Sequence, residues 1–241
     1  MNTNVQQPLS AFIIGISILL ASCVGAYAFY SVHALDNTLS VTGSTKERVM
    51  SDSAKWSIDV ERIVEEGAVV KGYEGVAEDT VKVKKYSALN GFKPEEITTS
   101  PISTSDYYTG SGENQIRKTS VRQTVTIETK DVARVETVSQ NTLVLAQEGI
   151  RFTARTPEYL ISTLPEMRIR LIGEAVKDAQ KRAQELAGSM EQRVGKMKSA
   201  SSGVVQVLAP NATAVSDYGE YDTSTREKDV MLTVRAVYLL E

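Results

Sequence analysis

The chain has 241 residues, 27 basic against 30 acidic side chains, a net charge of −3 and 41% apolar residues. That balance lacks the surplus of Lys and Arg that a nucleic-acid surface requires, and it is not the composition of a polyacidic disordered tail. A single Cys and a single His exclude an internal disulfide, a CxxC pair and a His-pair metal site, and confine any catalytic imidazole to one position.

The charges are unevenly placed: residues 1–30 contain no Asp, Glu, Lys or Arg. After a tail at 1–8, residues 9–30 (LSAFIIGISILLASCVGAYAFY) carry only Ser and Tyr as polar interruptions. At helical rise this stretch covers about 33 Å, the thickness of a bilayer core, and a helix satisfies its own backbone in lipid. Tyr27, Phe29 and Tyr30 sit where an interfacial aromatic belt belongs. The segment therefore predicts a single-pass anchor. Two alternatives stay open. Ala26-Tyr27-Ala28 and Val32-His33-Ala34 resemble signal-peptidase sites, and Leu20-Ala21-Ser22-Cys23 resembles a lipobox in which Cys23 would carry lipid. Both lack the usual basic n-region.

Residues 31–37 form a polar connector and 38–241 a folded region, long enough for one large domain or two small lobes. Leu39–Thr42 opens a strand, and Gly43 and Ser44 allow a bend. In Ala54–Ile63, Trp56, Ile58 and Val60 alternate with Ser57, Asp59 and Glu61, the period of a half-buried strand. Residues 67–90 read as a helix stopped by Gly91 and Pro94. Ile97–Ser105 is a strand in which Pro101 predicts an edge or bulge, and Thr109–Gln115 is a loop. Ile116–Lys130 alternates again, with Val121, Gln123, Val125 and Ile127 on one face.

Asp131 offers an N-cap for a helix over 132–147, followed by a strand at 150–156. Glu166–Ser189 is a helix with Ala175, Ala179, Ala183 and Ala187 on one stripe, small enough to lie close to a sheet. Its outer face offers Asp178–Arg182 and Lys181–Glu185 pairs. Val204–Leu208 is a short strand, Pro210–Arg226 a polar loop and Asp229–Leu240 a closing alternating strand. The order β-β-α-β-β-α-β-α-β-β mixes hairpins with crossover helices, which predicts an α+β fold of mostly antiparallel sheets behind the anchor.

Candidate chemistry is sparse. His33 lies beside the membrane segment and has no catalytic companions. Cys23 lies in apolar surroundings that disfavour a thiolate. Gly110-Ser111-Gly112 lacks the Lys-Ser/Thr of a phosphate loop and predicts a turn. The carboxylates of Asp217–Asp222 do not fit an EF-hand spacing, whereas Tyr218, Tyr221 and Asp222 suit a protein interface. Asn211-Ala212-Thr213 is a formal glycosylation sequon. No catalytic residue, metal site or cofactor is expected.

Val41-Thr42-Gly43 with Ser53-Ala54, the run Glu174–Ala183, Val194-Gly195-Lys196, Gly203–Val207, and Asp217–Thr223 followed by Lys228-Asp229-Val230 together resemble the SIMPL-domain (YggE-like) family over about residues 39–241. The resemblance implies a bacterial envelope protein, with links to oxidative-stress resistance in some members and a ring- or channel-like homo-oligomer in one. It supplies no catalytic residues to carry over.

These readings predict a non-enzymatic, self-assembling module held in the inner membrane through residues 9–30, with its domain facing the periplasm. The domain's outward orientation rests partly on the resemblance, since Lys46 and Arg48 alone would favour the inside. An envelope protein binding a small ligand or lipid is the alternative, and a hydrolase using Ser and carboxylates a third.

Overall fold

The computed structural model describes residues 6–34, 37–110, 115–212 and 218–241, with side chains at 6–11 and 32–34 outside the description. The fold is α+β, with five α-helices and ten strands among the described residues. Helix α1 (Gln6–Ala34) contains the apolar stretch Phe12–Ser31, 20 residues of which none is buried. Serine hydroxyls along it return to their own helix: Ser17 donates to Ile13 O at 2.9 Å and Ser31 to Tyr27 O at 2.6 Å. The helix runs through residues 31–34, where a connector was expected. The loss of hydropathy after Tyr30 marks where lipid should end, but Ser31–Ala34 contains no Gly or Pro to stop the helix.

The chain divides into two compact units. One comprises Met1–Thr45, Ile172–Gly203 and Thr233–Glu241; the other comprises Lys46–Leu171 and Val204–Leu232. The second holds a six-stranded antiparallel sheet around β2 (Ser53–Glu65) and β5 (Ile116–Thr129), which pair from Ala54↔Thr129 to Glu65↔Lys118. Strands β3 (Ile97–Thr99) and β4 (Ser103–Thr109) line β5, and β6 (Phe152–Ala154) and β7 (Glu158–Leu160) line β2. Trp56, Ile58, Val60, Val125 and Ile127 are fully buried with Val83 of α2 (Val69–Leu89), Val135 of α3 (Val132–Ser139) and Leu145 of α4 (Leu143–Gln147). Gln123 lies in the same phase and is satisfied there, accepting from Thr80 Oγ1 at 2.9 Å and donating to Ser100 O at 2.8 Å.

Several expected elements are interrupted. The strand around Pro101 splits into β3 and β4, both on one edge, since proline supplies no ladder N–H. The strand expected at 150–156 shortens to β6, and β7, which was not anticipated, follows beyond Pro157. The helix over 132–147 breaks at 140–142, where the Tyr86 hydroxyl donates to the carbonyls of Val138 (3.2 Å) and Asn141 (2.9 Å). The Val138 carbonyl also accepts from Asn141 N at 3.0 Å, so the turn closes on itself as well as on Tyr86. Asp131 does cap α3, accepting from Arg134 N at 3.0 Å.

In the first unit, α5 (Leu164–Gly188) contributes its part from residue 172 onward, packed on β1 (Thr38–Met50) and β10 (Glu227–Leu240) through Val41, Ala179, Ala183, Ala236 and Tyr238. Every alanine of the predicted stripe is buried. The approach is closest at Gly43, where an added Cβ would stand 2.1 Å from Ala175 O and 2.3 Å from Ala179 N. Strand β8 (Val194–Ser202) pairs with β10 and was not anticipated; it is exposed from Lys196 onward, so no burial alternates along it. In the second unit, strand β9 (Gln206–Leu208) pairs with the start of β10.

Backbone contact at Gly43 leaves no room for a side chain. Gly43→Ala is expected to cost about 3 kcal/mol, as overpacking does. Gly75→Ala, where a Cβ meets Arg62 only at an ordinary 3.5 Å, is expected to add about 0.5–1 kcal/mol through helix propensity. Denaturant titration of the full chain in detergent, followed by far-ultraviolet circular dichroism, measures both.

Candidate functional site

A cleft of about 560 Å³ lies in the second unit. Its walls come from α3 and its C-cap (Glu136, Gln140), the β6–β7 connection with β7 (Arg155, Tyr159) and the segment leading into β10 (Thr225, Arg226). Each wall is fixed from below. The Arg155 carbonyl accepts the Trp56 indole N–H at 2.9 Å, and its guanidinium holds Asp59 through Nε (3.0 Å) and Nη2 (2.9 Å). Tyr159 N donates to Thr223 O at 2.7 Å. Arg226 pairs with Glu136 across the cleft, and its buried Nε has no hydrogen-bond partner. Burial raises the Tyr159 phenol above its ordinary pKa; Glu136 adds to that rise and Arg226 opposes it.

The segment 218–226 is held by a fully buried cation. Lys228 Nζ donates to the carbonyls of Asp222 (2.5 Å) and Thr225 (2.6 Å), with Asp222 Oδ2 at 3.6 Å. Burial lowers the Lys228 pKa, with Asp222 opposing. Asp222 also accepts from Ser224 N (2.9 Å), Ser224 Oγ (2.7 Å) and Thr225 Oγ1. Burial alone would raise its pKa, but these donors and Lys228 outweigh burial and hold the carboxyl far below the usual carboxylate range. Ser224 therefore has a carboxylate neighbour of very low basicity, a poor activator of a nucleophile.

On the sheet face opposite the core, Asp59 and Glu61 of β2 carry further ion pairs. Glu61 accepts from Ser120 (2.5 Å), Arg122 (3.0 Å) and Arg151 (3.2 Å). The hydrogen bond from Ser120 outweighs burial in holding Glu61 low. At Asp59, burial pushes up but Thr124 and Arg155 prevail.

The structure separates the residues singled out from the sequence. Cys23 is an exposed free thiol on α1. His33 lies in the last turn of α1 rather than in a connector. Tyr218 is 96% exposed, Tyr221 39%. The Tyr221 hydroxyl accepts from Ile161 N at 2.9 Å, and Asp222 is occupied as described. Of the three, only Tyr218 projects fully. Asp217, Ser111 and Gly112 lie outside the described residues. Asn211 sits at φ +62° and its side chain accepts from Arg48 at 2.9 Å. Asp178 and Arg182 pair at 2.8 Å as expected. Among the described residues, no three His, Cys, Asp or Glu side chains gather to hold a metal.

Sequence reasoning missed Glu136, Arg155, Tyr159, Arg226 and Lys228. Only Lys228 left a signal: it is in phase with the buried Val230, Leu232 and Val234.

A family model described as "SIMPL: Protein of unknown function (DUF541)" matches residues 39–238. No curated protein matches the chain.

Removing the buried cation leaves two carbonyls without their donor and Asp222 without its counter-charge. Lys228→Met is expected to cost about 3 kcal/mol, the scale for breaking a buried pair, measured by thermal unfolding. The pH dependence follows from the carboxylates. Asp59, Glu61 and Asp222 have folded pKa values below their unfolded ones. Each stabilises fully above the unfolded value, near pH 4, and loses that contribution as pH falls toward its folded value. The melting temperature is expected to fall steeply below about pH 4; a flat profile between pH 5 and 2 contradicts this assignment.

Proposed function

This chain belongs to the SIMPL family, and we propose that it is a membrane-tethered, non-enzymatic module whose folded domain works outside the cytoplasm and assembles with copies of itself. The observation that carries the tether is the apolar stretch Phe12–Ser31, none of it buried and placed just ahead of the matched region. Nothing buries it within the protein, and 20 apolar helical residues match a bilayer core. The extracytoplasmic orientation draws on the family resemblance. Self-assembly draws on exposed strand edges at β4 and β8 and on Tyr218, since unpaired edges and amphipathic tyrosines support subunit contact. Tethering to one surface raises the effective concentration for such contacts.

The non-enzymatic reading draws on the weak basicity around Ser224 and on the internal use of Asp222 and Lys228. A role in oxidative-stress protection rests on the family resemblance and would not run through Cys23, whose thiol lies within the apolar span.

The cleft beside Tyr159 supports a second reading, a binding protein for a small polar ligand, because its volume is in the range of ligand sites. Native mass spectrometry of the full chain released from mild detergent tests assembly and ligand together. Masses above the protomer are expected. A strictly monomeric spectrum at high concentration overturns self-assembly, and a retained small-molecule adduct lost in Tyr159→Ala favours the second reading.

For the tether, the full-length chain is expected to stay with membranes through a carbonate wash and to be digested by protease added to spheroplasts. Recovery of the uncut chain in the soluble fraction contradicts the anchor.

A further inference from the structure

The chain between the apolar span and the sheet is very short. The span ends at Ser31, α1 at Ala34, and the sheet has begun by Asn37, whose carbonyl accepts from Leu240 N at 2.9 Å. Helical rise adds about 4.5 Å and three extended Cα steps at most about 11 Å. Asn37 therefore stands within about 16 Å of the end of the span, while the headgroup layer itself takes up about 5–8 Å of that.

The elements that meet at this end of the first unit are fixed by pairing. Leu240 is opposite Val194, and Arg193 and Glu241 exchange backbone hydrogen bonds at 2.7 and 2.9 Å. The C-terminus of α5 arrives there too, through the turn 189–193, in which Gln192 N returns to Ala187 O at 2.9 Å. Three large apolar side chains stay exposed on this stretch: Leu186 (48%), Met190 (51%) and Met197 (42%). Around them are the exposed cations Arg193, Lys196 and Lys198 and the exposed acids Glu191 and Glu241.

We propose that Leu186, Met190 and Met197, at the end of the first unit where α5 meets β8, dock into the headgroup region of the bilayer that holds α1. The inference rests on the tether proposed above. The partner is a phospholipid surface because the short connector brings this end to that surface and to no other. Unbranched methionines adapt to an irregular apolar environment. The basic side chains can lay their stems along the acyl boundary with their charges among the phosphates. Cations and acids nearly cancel, so the contact is apolar in origin and insensitive to salt, unlike a polybasic patch.

Site-directed spin labelling of the full chain in phosphatidylcholine vesicles, on a Cys23→Ser background, tests this. Labels go to Met190→Cys and Met197→Cys, with Leu19→Cys in the span and Ser201→Cys at the far end of β8. At 190 and 197, collision with an aqueous nickel chelate should fall several-fold below that at 201, while collision with lipid-dissolved oxygen rises. Both changes should persist in high salt and when phosphatidylglycerol is added. Nickel access at 190 and 197 equal to that at 201, with Leu19 in lipid, overturns the docking and leaves the tether standing. A Leu19 label in water overturns both. Protection from nickel without gain in oxygen collision means cover by a second copy of the chain and overturns lipid docking. Loss of protection in high salt overturns its apolar origin.

Discussion

The long antiparallel pairing of β2 with β5 sets the geometry of the second unit. Every other strand of that sheet hydrogen-bonds to one of these two, and none of the four exceeds seven residues. Strands of three residues have no independent stability in water, so β3, β6 and β7 exist because this pair presents a template. The pair is stable because one face is a continuous apolar surface: Trp56 opposite Ile127 and Ile58 opposite Val125, all without solvent exposure. A slip by one residue would exchange that face for Asp59, Glu61 and Arg122, a change the buried helices would not tolerate. Register and core thus determine each other.

The same pair positions the cleft. Trp56 has its ring in the core and its N–H on the Arg155 carbonyl, and Asp59, one strand position beyond Ile58, faces the other way and takes the Arg155 guanidinium. One strand thereby fixes both the backbone and the side chain of a cleft residue almost a hundred positions away. The opposite wall depends on Lys228, an isolated cation in phase with apolar neighbours on β10. Its desolvation is offset by two carbonyls and a carboxylate, so the turn at 222–225 is bound to the sheet more firmly than its polar sequence suggests. The price of that firmness is a cation whose removal would strand two carbonyls and leave Asp222 without its counter-charge.

Local periodicity made much of the fold legible. The alternation in β2, β5 and β10 and the alanine stripe of α5 report burial directly, because side-chain direction follows backbone period. Asp131 was legible because an N-cap acts within three residues. What escaped depends on partners distant in sequence. Strand β8 has no burial alternation and is a strand only by pairing with β10. The break between α3 and α4 is stabilised by Tyr86, more than fifty residues upstream. The cleft joins α3, the β6–β7 connection and the approach to β10, so no local motif announces it. Tyr221 and Asp222 read as surface residues because their loop is polar, whereas their partners, Ile161 N and Lys228, are supplied by the tertiary fold.

A tethered domain differs from a free one in which of its surfaces can reach a partner. When the connector is only a few residues long, one end of the fold is committed to the bilayer, and a partner from the aqueous phase must approach elsewhere. Exposed apolar side chains at that end then carry no aggregation cost, since lipid covers what water would penalise. The edge of β4 and the Tyr218 loop belong to the unit that does not carry the connector, and their side chains are polar or amphipathic, the kind of surface the proposed self-assembly would use. Exposed Leu186, Met190 and Met197 in the unit that carries the connector are therefore side chains that an anchor at 12–31 would allow to meet lipid rather than water.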